Sequence, residues 1–594
     1  MAGNRVARVF DRLIGLETEY ALRVRPWDRL APRPSRFRVY EQVIEALGQR
    51  IPVAAARHFK EGVFLANGGA VWFEAERPSA GGGLIEGSTP ECRSPRDVLV
   101  YQRAQDRLLA ESARESRFAG LVCLIKNDRD GRDNIYGAQE NYEEVLAQGL
   151  DLFLWRLGLL LLFPIAVATW LAILGCVIGT LAYFGVAGLA YVAAWGLRGN
   201  RQSLAIVLFG RDLAEGRSTC LCVPVWLESA LQVVTRAVTA PLAAALYVLL
   251  RVSAFRRVRR QLLPFLLTRP IWAGAGMVDA SGRFLLSDKG PSINCVLGFG
   301  GMFFDRPVFT MGHFFKAMYA EAWFSPREYF HLFASRHRLQ IGLGDSNMCE
   351  PAEYLRVGAT LLVLDAIDAG MLEDCPVVRR PIQALRAVCQ DLSLRSRIAL
   401  KGNRAATALE IQRFYHAACL AFLNGQDRVP AEALEVLSLW GRTLDALQEA
   451  ADRGQPPSAL FGSVDWVTKK HLLDRAASEA NWSARKKIDI RYHELSPGGY
   501  YEMLKAAGGA VCLVTPAELD RATRNAPAGT PATMRGRYIR EFARGQELLQ
   551  VNWKTVTIGR GWGARVIRLA RYGREAAAQA RGRRRRPRYL DTEP

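Results

Sequence analysis

The sequence predicts an α+β fold that is interrupted by a pair of membrane-spanning helices. Three observations carry this prediction. Residues 1–146 alternate strand-like and helical patterns, residues 157–197 contain no charged side chain, and residues 488–562 have the pattern of a small α/β unit. Because 594 residues exceed the ~100–200 of a usual single domain, we expect a large mixed domain that an insert divides and a smaller unit follows.

The domain boundaries follow from these changes in pattern. The main domain stops shortly before the charge-free stretch and resumes after a basic cluster, and the arginine-rich end lies beyond the last strand-like segment. The predicted divisions are 1–146 (N-terminal part of the main domain), 147–255 (membrane insert), 256–485 (remainder of the main domain), 486–562 (small C-terminal domain) and 563–594 (basic tail).

The charge-free stretch is long enough for two membrane crossings, since one crossing needs ~20 apolar residues. Gly175 and Gly179 mark a turn between two helices. The alternative is a helical hairpin buried in a soluble core, although buried soluble helices usually carry a polar stripe. A later apolar run fits an interfacial or re-entrant helix, or a third crossing. The predicted helices are 157–174 and 178–197, and the later run is 237–250.

Basic residues flank these apolar segments and predict their orientation. Arg156 precedes the charge-free stretch, and Arg198 and Arg201 follow it. Positively charged flanks stay in the cytoplasm, so both ends of the predicted hairpin should lie there. We therefore expect a cytoplasmic-membrane protein whose main domain lies on the cytoplasmic side.

The composition limits the partners and the compartment. Lys and Arg total 79 against 58 Asp and Glu, which gives a formal charge of +21 and favours nucleic acid, anionic lipid or an acidic protein. No zinc-finger, RNP or helix-turn-helix pattern supports nucleic acid. The tail fits either a solvated end or attraction to lipid headgroups. The 11 cysteines form no CxxC pair, which indicates reduced thiols in the cytosol.

Acidic residues recur on the predicted strands of the N-terminal part. Glu17 and Glu19 alternate along one strand, so both carboxylates point to the same face. Glu74 ends a later strand, and Glu86 and Glu91 follow a glycine-rich loop. Because neighbouring carboxylates repel unless a cation lies between them, this pattern predicts a magnesium site, with an exposed strand face as the alternative. No Walker A sequence occurs, which argues against a P-loop ATPase.

Short motifs along the chain resemble those of the Pup ligase and Pup deamidase family. Each motif is modest alone, but their number and order are specific, and together they cover nearly the whole chain outside the insert. The motifs are GLETEY (15–20), NGG (67–69), STPECRSPR (88–96), KND (126–128), YGAQENY (136–142), LPFLLTR (263–269), GDSNM (344–348), LWGRTLD (439–445), DWV (465–467) and YHELSPG (492–498).

The resemblance implies a fold and a chemistry. The fold is the curved sheet with helices of glutamine synthetase and other carboxylate–amine ligases, with a small C-terminal α/β domain. The ligases use ATP and magnesium to phosphorylate the C-terminal glutamate side chain of the small protein Pup, and a substrate lysine then forms an isopeptide bond with it. The deamidases convert a C-terminal glutamine of Pup to glutamate and can release Pup from targets. Implied partners are Pup or a Pup-like protein and lysine-bearing targets.

The resemblance also implies roles for individual residues. Glu74 falls where the family places its catalytic aspartate. Thr89 and Trp553 resemble nucleotide contacts. Glu17 and Glu86 match family metal ligands, and Glu19 shares the strand face of Glu17. The predicted metal ligands are Glu17, Glu19 and Glu86.

Several positions depart from the family pattern. Ala70 replaces a nucleotide-binding arginine, and Trp72, which offers no oxygen, replaces a metal-linked tyrosine. Gln139 and Gln340 stand where the family has histidines. Glu74 is one methylene longer than the expected aspartate, and a misplacement of ~1 Å can cost ~10²-fold in rate.

These departures leave alternatives open. An active ligase would use Arg93 or Lys126 to replace the missing basic contact, whereas a degenerate site would leave a non-catalytic, membrane-tethered binding protein. A Pup deamidase or depupylase is a further alternative. That type carries a long loop before the Asn-Gly turn, and the interval 20–67 is short here, which favours the ligase.

Overall fold

The main chain elements are given by a computed structural model. It describes residues 9–27, 34–58, 60–74, 83–116, 120–129, 135–194, 201–210, 224–301, 303–322, 325–476 and 481–569. The strands are β1 Ile14–Pro26, β2 Val53–Ala56, β3 Gly62–Leu65, β4 Ala70–Glu74, β5 Leu84–Ser88, β6 Gly120–Ile125, β7 Ala138–Val145, β8 Met277–Val278, β9 Phe284–Leu285, β10 Cys295–Gly298, β11 Pro307–Thr310, β12 Arg336–Ile341, β13 Ile398–Ala399, β14 Ala405–Ala406, β15 Leu549–Val551, β16 Thr555–Ile558 and β17 Arg565–Arg568.

The helices form the second component of the fold. They are α1 Arg36–Arg50, α2 Pro95–Glu115, α3 Gly149–Ala193, α4 Arg201–Phe209, α5 Val225–Ser253, α6 Arg256–Thr268, α7 Pro270–Ala273, α8 Gly312–Lys316, α9 Pro326–His331, α10 Glu350–Asp368, α11 Pro381–Gln390, α12 Ala408–Asn424, α13 Ala431–Arg453, α14 Asp465–Ala476, α15 Trp482–Tyr492, α16 Tyr500–Ala506, α17 Pro516–Arg524 and α18 Pro531–Phe542. Short single turns add Gly290–Ser292, Ala317–Glu321, Ser458–Leu460 and Gly561–Gly563.

One large, curved sheet organises the molecule. Its strand order is β10-β11-β12-β7-β1-β5-β4-β3-β2-β15-β16-β17, and β6 pairs with the far end of β1. Within the described residues its ladders are antiparallel except β10 with β11 and β15 with β2. Helices α2, α6, α10, α12 and α13 supply much of the buried apolar core. The predicted α+β class is confirmed.

The C-terminal strands are part of the large sheet rather than a sheet of their own. Strand β15 pairs with β2 through Gln550 and Ala55, and β16 and β17 continue the sheet outward. The predicted start of a basic tail at 563 is wrong, because 565–568 forms β17. This segment pairs with β16, but its arginines made it resemble the basic tail in the sequence. Residues 570–594 lie outside the described part of the chain.

The predicted turn in the charge-free stretch is wrong. Helix α3 runs through Gly175 and Gly179 without a break. A glycine costs a helix only ~1 kcal/mol relative to alanine, and the neighbouring Thr180 donates its hydroxyl to the carbonyl of Cys176 within α3, so nothing ends the helix there. Its 45 residues extend about 68 Å, more than twice the ~30 Å of a bilayer's hydrocarbon core.

The partner of α3 is α5, which contains the predicted apolar run 237–250. The two helices are antiparallel, since Leu249 fills the space beside Gly158 while the Trp226 and Tyr183 rings lie 5.5 Å apart. By length and composition alone, α3 and α5 are the helices of the described chain that could cross a membrane. The hairpin therefore consists of α3 and α5, with α4 packed near its tip.

One face of the hairpin packs against the body at the proximal end, although α3 also exposes apolar side chains there, such as Leu160 and Leu161. Near the body of the protein, Trp155 Nε1 donates to the carbonyl of Leu332 at 2.7 Å and Tyr329 donates to the carbonyl of Leu159 at 2.6 Å. The packed face of this half of α3 belongs to the main hydrophobic core. The distal half of α3 exposes large apolar side chains: Val177, Ile178, Leu181, Val186, Leu189 and Val192.

Candidate active site

Three adjacent strands bring the predicted carboxylates to one face of the sheet. On the antiparallel ladders, Glu19 of β1 lies opposite Glu86 of β5, which in turn lies opposite Trp72 of β4. Directly opposed residues share a face, and residues two apart along a strand do as well. Glu17 and Glu74 therefore join the same face.

A cavity of about 1110 Å³ lies over this face. Its walls come from the middle of the sheet, from α8 and α9, and from the C-terminal strands. The structure brings all the predicted catalytic, nucleotide and metal residues into this one cavity: Glu17, Glu19, Glu74, Glu86, Thr89 and Trp553.

The lysine that precedes β3 neutralises the carboxylates at one end of the cavity. Lys60 Nζ donates to Glu86 Oε2 at 2.6 Å and also pairs with Glu74. Burial alone would raise the pKa of Glu86, but Lys60 outweighs it and holds that pKa below its ordinary value. Burial raises the pKa of Glu74 despite Lys60. The ammonium group therefore stabilises mainly the Glu86 carboxylate.

The opposite end of the cavity carries a second neutralised carboxylate. Arg338 Nη1 donates to Glu17 Oε1 at 2.8 Å, and Gln340 Nε2 donates to Glu17 Oε2 at 3.0 Å. Gln340 also donates to Gln139. The two glutamines that stand in place of family histidines are thus neighbours and form one hydrogen-bonded group with Glu17.

Glu19 lies between these two ends. The backbone N–H of Gly137 donates to Glu19 Oε2 at 2.7 Å, and a Cβ at Gly137 would meet Glu19 Oε1 at 2.6 Å. The pKa of Glu19 is raised to about 8: burial is the largest cause, Lys289 opposes the rise, and Glu86 and Glu74 add to it. Burial and the two neighbouring carboxylates therefore favour the protonated form of this carboxyl group.

The two predicted nucleotide contacts, Thr89 and Trp553, lie in the cavity wall, after β5 and between β15 and β16 respectively. Thr89 Oγ1 accepts from the backbone N–H of Leu16 at 2.9 Å, which ties β1 to the end of β5. The Trp553 ring packs on Phe64 at 5.0 Å, and the Arg535 guanidinium lies 4.7 Å from its centroid. Arg535 is anchored by Glu91. Trp553 is thus a fixed aromatic face on the cavity wall.

The two basic residues suggested as replacements lie elsewhere. Lys126 is buried against Asp106, with Nζ and Oδ2 3.1 Å apart, and Arg93 donates to the carbonyl of Gly529 at 3.0 Å. Neither lines the cavity. No local motif marks the cavity's basic lining, because its contributors are scattered over strands, helices and loops between positions 58 and 554. They include His58, Lys60, Lys289, Lys316, Arg338 and Lys554.

The cavity fits a phosphorylated ligand better than a preassembled metal. Basic side chains and the aromatic face of Trp553 suit a nucleotide. Among the described residues, no group of three or more His, Cys, Asp or Glu side chains converges on a point where a metal could bind. Glu19 could accept one cation, whereas Lys60 already lies between Glu74 and Glu86.

The fold and the cavity define a glutamine-synthetase-like protein, in which a curved sheet carries acidic and basic side chains on one face. The chain belongs to the Pup-ligase protein family, whose model matches residues 12–557. It is 26% identical over 581 residues to the Pup--protein ligase of Corynebacterium jeikeium, and this alignment covers 94% of each chain. The Mycolicibacterium smegmatis Pup--protein ligase is 32% identical over 317 residues, 52% of this chain and 65% of that relative's length.

Solved structures share the fold. The ligase PafA in complex with the prokaryotic ubiquitin-like protein Pup superposes with a TM-score of 0.62 at 21% identity, over 95% of this chain and 90% of that one. PafA in complex with ADP gives a TM-score of 0.56 at 19% identity, over 92% of each chain. The predicted glutamine-synthetase-like architecture is confirmed.

Proposed function

We propose that this protein is an ATP- and magnesium-dependent carboxylate–amine ligase that joins the glutamate side chain of Pup, or of a Pup-like protein, to a lysine of a target. One observation carries the proposal: the residues predicted to bind nucleotide and metal and to transfer a proton line a single cavity. Family membership and the Pup and ADP bound to related ligases support it.

The residues of the chain have distinct tasks in this reaction. When bound, ATP with magnesium would supply the terminal phosphoryl group that converts a glutamate carboxylate into an acyl phosphate, with ADP as the leaving group. Lys316 and Lys554 give the cavity positive charge, which attracts phosphates. Glu19 and Glu17 are the carboxylates that would hold a cation. As the lysine amine attacks the acyl carbon and phosphate departs, Glu74 accepts the amine proton.

A catalytically degenerate binding protein is the alternative that a specific observation favours. Ala70 and Trp72 remove a basic contact and an oxygen ligand, and the Trp72 indole packs on Phe64 at 5.5 Å instead. Such a protein would bind nucleotide without turnover. A deamidase would instead release ammonia from a substrate that ends in glutamine.

A ligation assay separates these functions. With ATP, magnesium, a Pup-type protein ending in glutamate and a lysine-bearing acceptor, the purified chain is expected to form a covalent adduct and ADP. Glu19→Gln should lower the rate ~10²-fold, because it removes a charge that would hold the cation. Mass spectrometry of the adduct measures the reaction. Nucleotide binding without adduct or ADP would favour the binding protein, and ammonia release from a glutamine-ending substrate would favour the deamidase.

We also propose that the distal halves of α3 and α5, together with α4, lie in the cytoplasmic membrane with the body on the cytoplasmic side. Exposed apolar residues such as Leu181 and Leu189 support the insertion. Arg156, Arg251 and Arg256 lie at the end of the hairpin nearest the body, which agrees with the preference of basic flanks for the cytoplasm. The prediction that Arg156 and Arg201 lie on the same side is wrong, because the unbroken α3 separates them and Arg201 begins α4 near the tip.

Acidic substitutions on this surface test the membrane proposal. Leu181→Asp with Leu189→Asp is expected to move the protein from the carbonate-resistant membrane fraction to the soluble fraction, since aspartate in the bilayer core costs ~3 kcal/mol per residue. The matched control is Leu434→Asp, because Leu434 is equally apolar and 52% exposed but lies on α13. An unchanged distribution of the double variant, or a loss with the control alone, would contradict insertion through this surface.

A further inference from the structure

The acidic face of the cavity already contains a cation that the chain itself supplies. Lys60 lies between β2 and β3, and its ammonium group reaches across β4 to Glu86 at 2.6 Å and to Glu74. The side chain of Lys60 is 26% exposed and that of Glu86 is 11% exposed.

A divalent ion and this ammonium group cannot share the Glu74–Glu86 position. Magnesium binds oxygen at ~2.0–2.1 Å and needs near-octahedral geometry, whereas Lys60 directs its protons at oxygens of both carboxylates. The residue opposite Glu86 on β4 is Trp72, which offers no oxygen to complete a shell. Like charges a few ångströms apart in a partly buried site would also repel.

We propose that Lys60 replaces one divalent ion: its ammonium group is the permanent counter-cation of Glu74 and Glu86, so this end of the cavity binds no metal. The inference about nucleotide rests on the proposed function, and the inference about metal does not. Lys60 is a positioning residue, because it acts through the two carboxylates. Nucleotide binding in this protein therefore requires fewer divalent ions than it would in a site with the same carboxylates and no lysine.

Manganese binding in the absence of nucleotide tests the metal part directly. In the full chain, Lys60→Met is expected to bind one more Mn²⁺ ion than the unchanged protein, because the repelling charge is gone. Its affinity for that ion should be at least about tenfold higher than that of any weak Mn²⁺ binding by the unchanged protein. Lys60→Gln should behave the same way, and Lys60→Arg should restore the unchanged count. Electron paramagnetic resonance of free Mn²⁺ gives the number bound.

A matched lysine controls for the loss of charge alone. Lys470 is 31% exposed and pairs with Asp474 on α14, away from the cavity, so Lys470→Met is expected to leave the Mn²⁺ count unchanged. Equal Mn²⁺ counts for the unchanged protein and both neutral Lys60 variants would overturn the proposal. A tight Mn²⁺ site in the unchanged protein that Glu86→Gln removes would overturn it as well.

Calorimetric titration with ADP separates this proposal from the proposed function. The unchanged protein is expected to bind ADP with EDTA present, and Lys60→Met should lose about tenfold in affinity in EDTA and recover it with Mn²⁺. If no variant binds ADP under any condition, the proposed function fails, while the Mn²⁺ counts still decide whether Lys60 stands in for a metal. If Lys60→Met loses no ADP affinity in EDTA, or if Mn²⁺ does not restore the affinity that it loses, the replacement of a divalent ion by Lys60 is refuted.

Discussion

Replacing Glu74 by glutamine is expected to slow ligation by ~10² to 10⁴-fold while nucleotide binding stays within a few-fold of the unchanged protein. A positioned general base contributes a factor of that size, and glutamine keeps the shape of the side chain without accepting a proton. Glu74 ends β4 at the cavity wall, and its one ion pair within the described residues is with Lys60. The single-turnover rate of adduct formation, with ADP affinity measured alongside, gives both quantities.

A neighbouring carboxylate provides the control for this variant. Glu143 lines the same cavity and pairs with Arg336 at 3.1 Å, so Glu143→Gln changes the charge by the same amount. We expect its single-turnover rate to remain near that of the unchanged protein. Equal losses in the two variants would mean that net charge, and not proton transfer by Glu74, accounts for the effect. An unchanged rate in Glu74→Gln would remove Glu74 from the mechanism.

Replacing Arg269 by methionine is expected to lower the free energy of unfolding by ~3–5 kcal/mol, because it removes the two-bonded partner of a buried carboxylate and leaves only the Arg356 guanidinium 3.5 Å away. Arg269 is 3% exposed and Glu140 is fully buried. The guanidinium donates to Glu140 Oε1 at 2.6 Å and Oε2 at 3.0 Å, and also to Thr360 and to the carbonyl of Leu343. This pair ties the chain after the hairpin to the central strand β7.

Urea unfolding of the detergent-solubilised protein, followed by tryptophan fluorescence, measures the change. The control is Arg413→Met, which removes a pair with Asp445 whose side chains are 38% and 67% exposed. Exposed pairs contribute ~0–1 kcal/mol, so this variant should differ little from the unchanged protein. If Arg269→Met proved as stable as the control, Arg356 alone would have to be a sufficient counter-charge for Glu140.

The membrane segment shows how far apolar length alone can be interpreted. The charge-free run 157–197 correctly indicated a helix long and apolar enough to cross a bilayer, but the pairing was wrong. A turn between Gly175 and Gly179 had no capping residue to specify it, and the true partner, α5, carries Glu228 and Arg236 among its apolar residues. Which helix lies beside α3 depends on packing, such as Leu249 against Gly158, and packing has no local signature.

In the candidate site, too, one feature could be predicted from the sequence and another could not. The alternation of Glu17 and Glu19 along a strand predicted a shared face, and β1 confirms it. Their counter-charges could not be predicted in the same way. Arg338 is 321 positions from Glu17 along the chain, and it reaches that carboxylate only because β12 lies two strands from β1, with β7 between them.

The sequence by itself determined the family, the α+β class, the strand faces that carry the carboxylates and the presence of long apolar helices, since side-chain periodicity and apolar length are properties of neighbouring residues. Only the tertiary structure decided that α3 pairs with α5, that β15 to β17 extend the main sheet, and that Lys60 and Arg338 neutralise the acidic face. Strand order and helix packing bring distant residues together, and ion pairs form between whichever charges then meet.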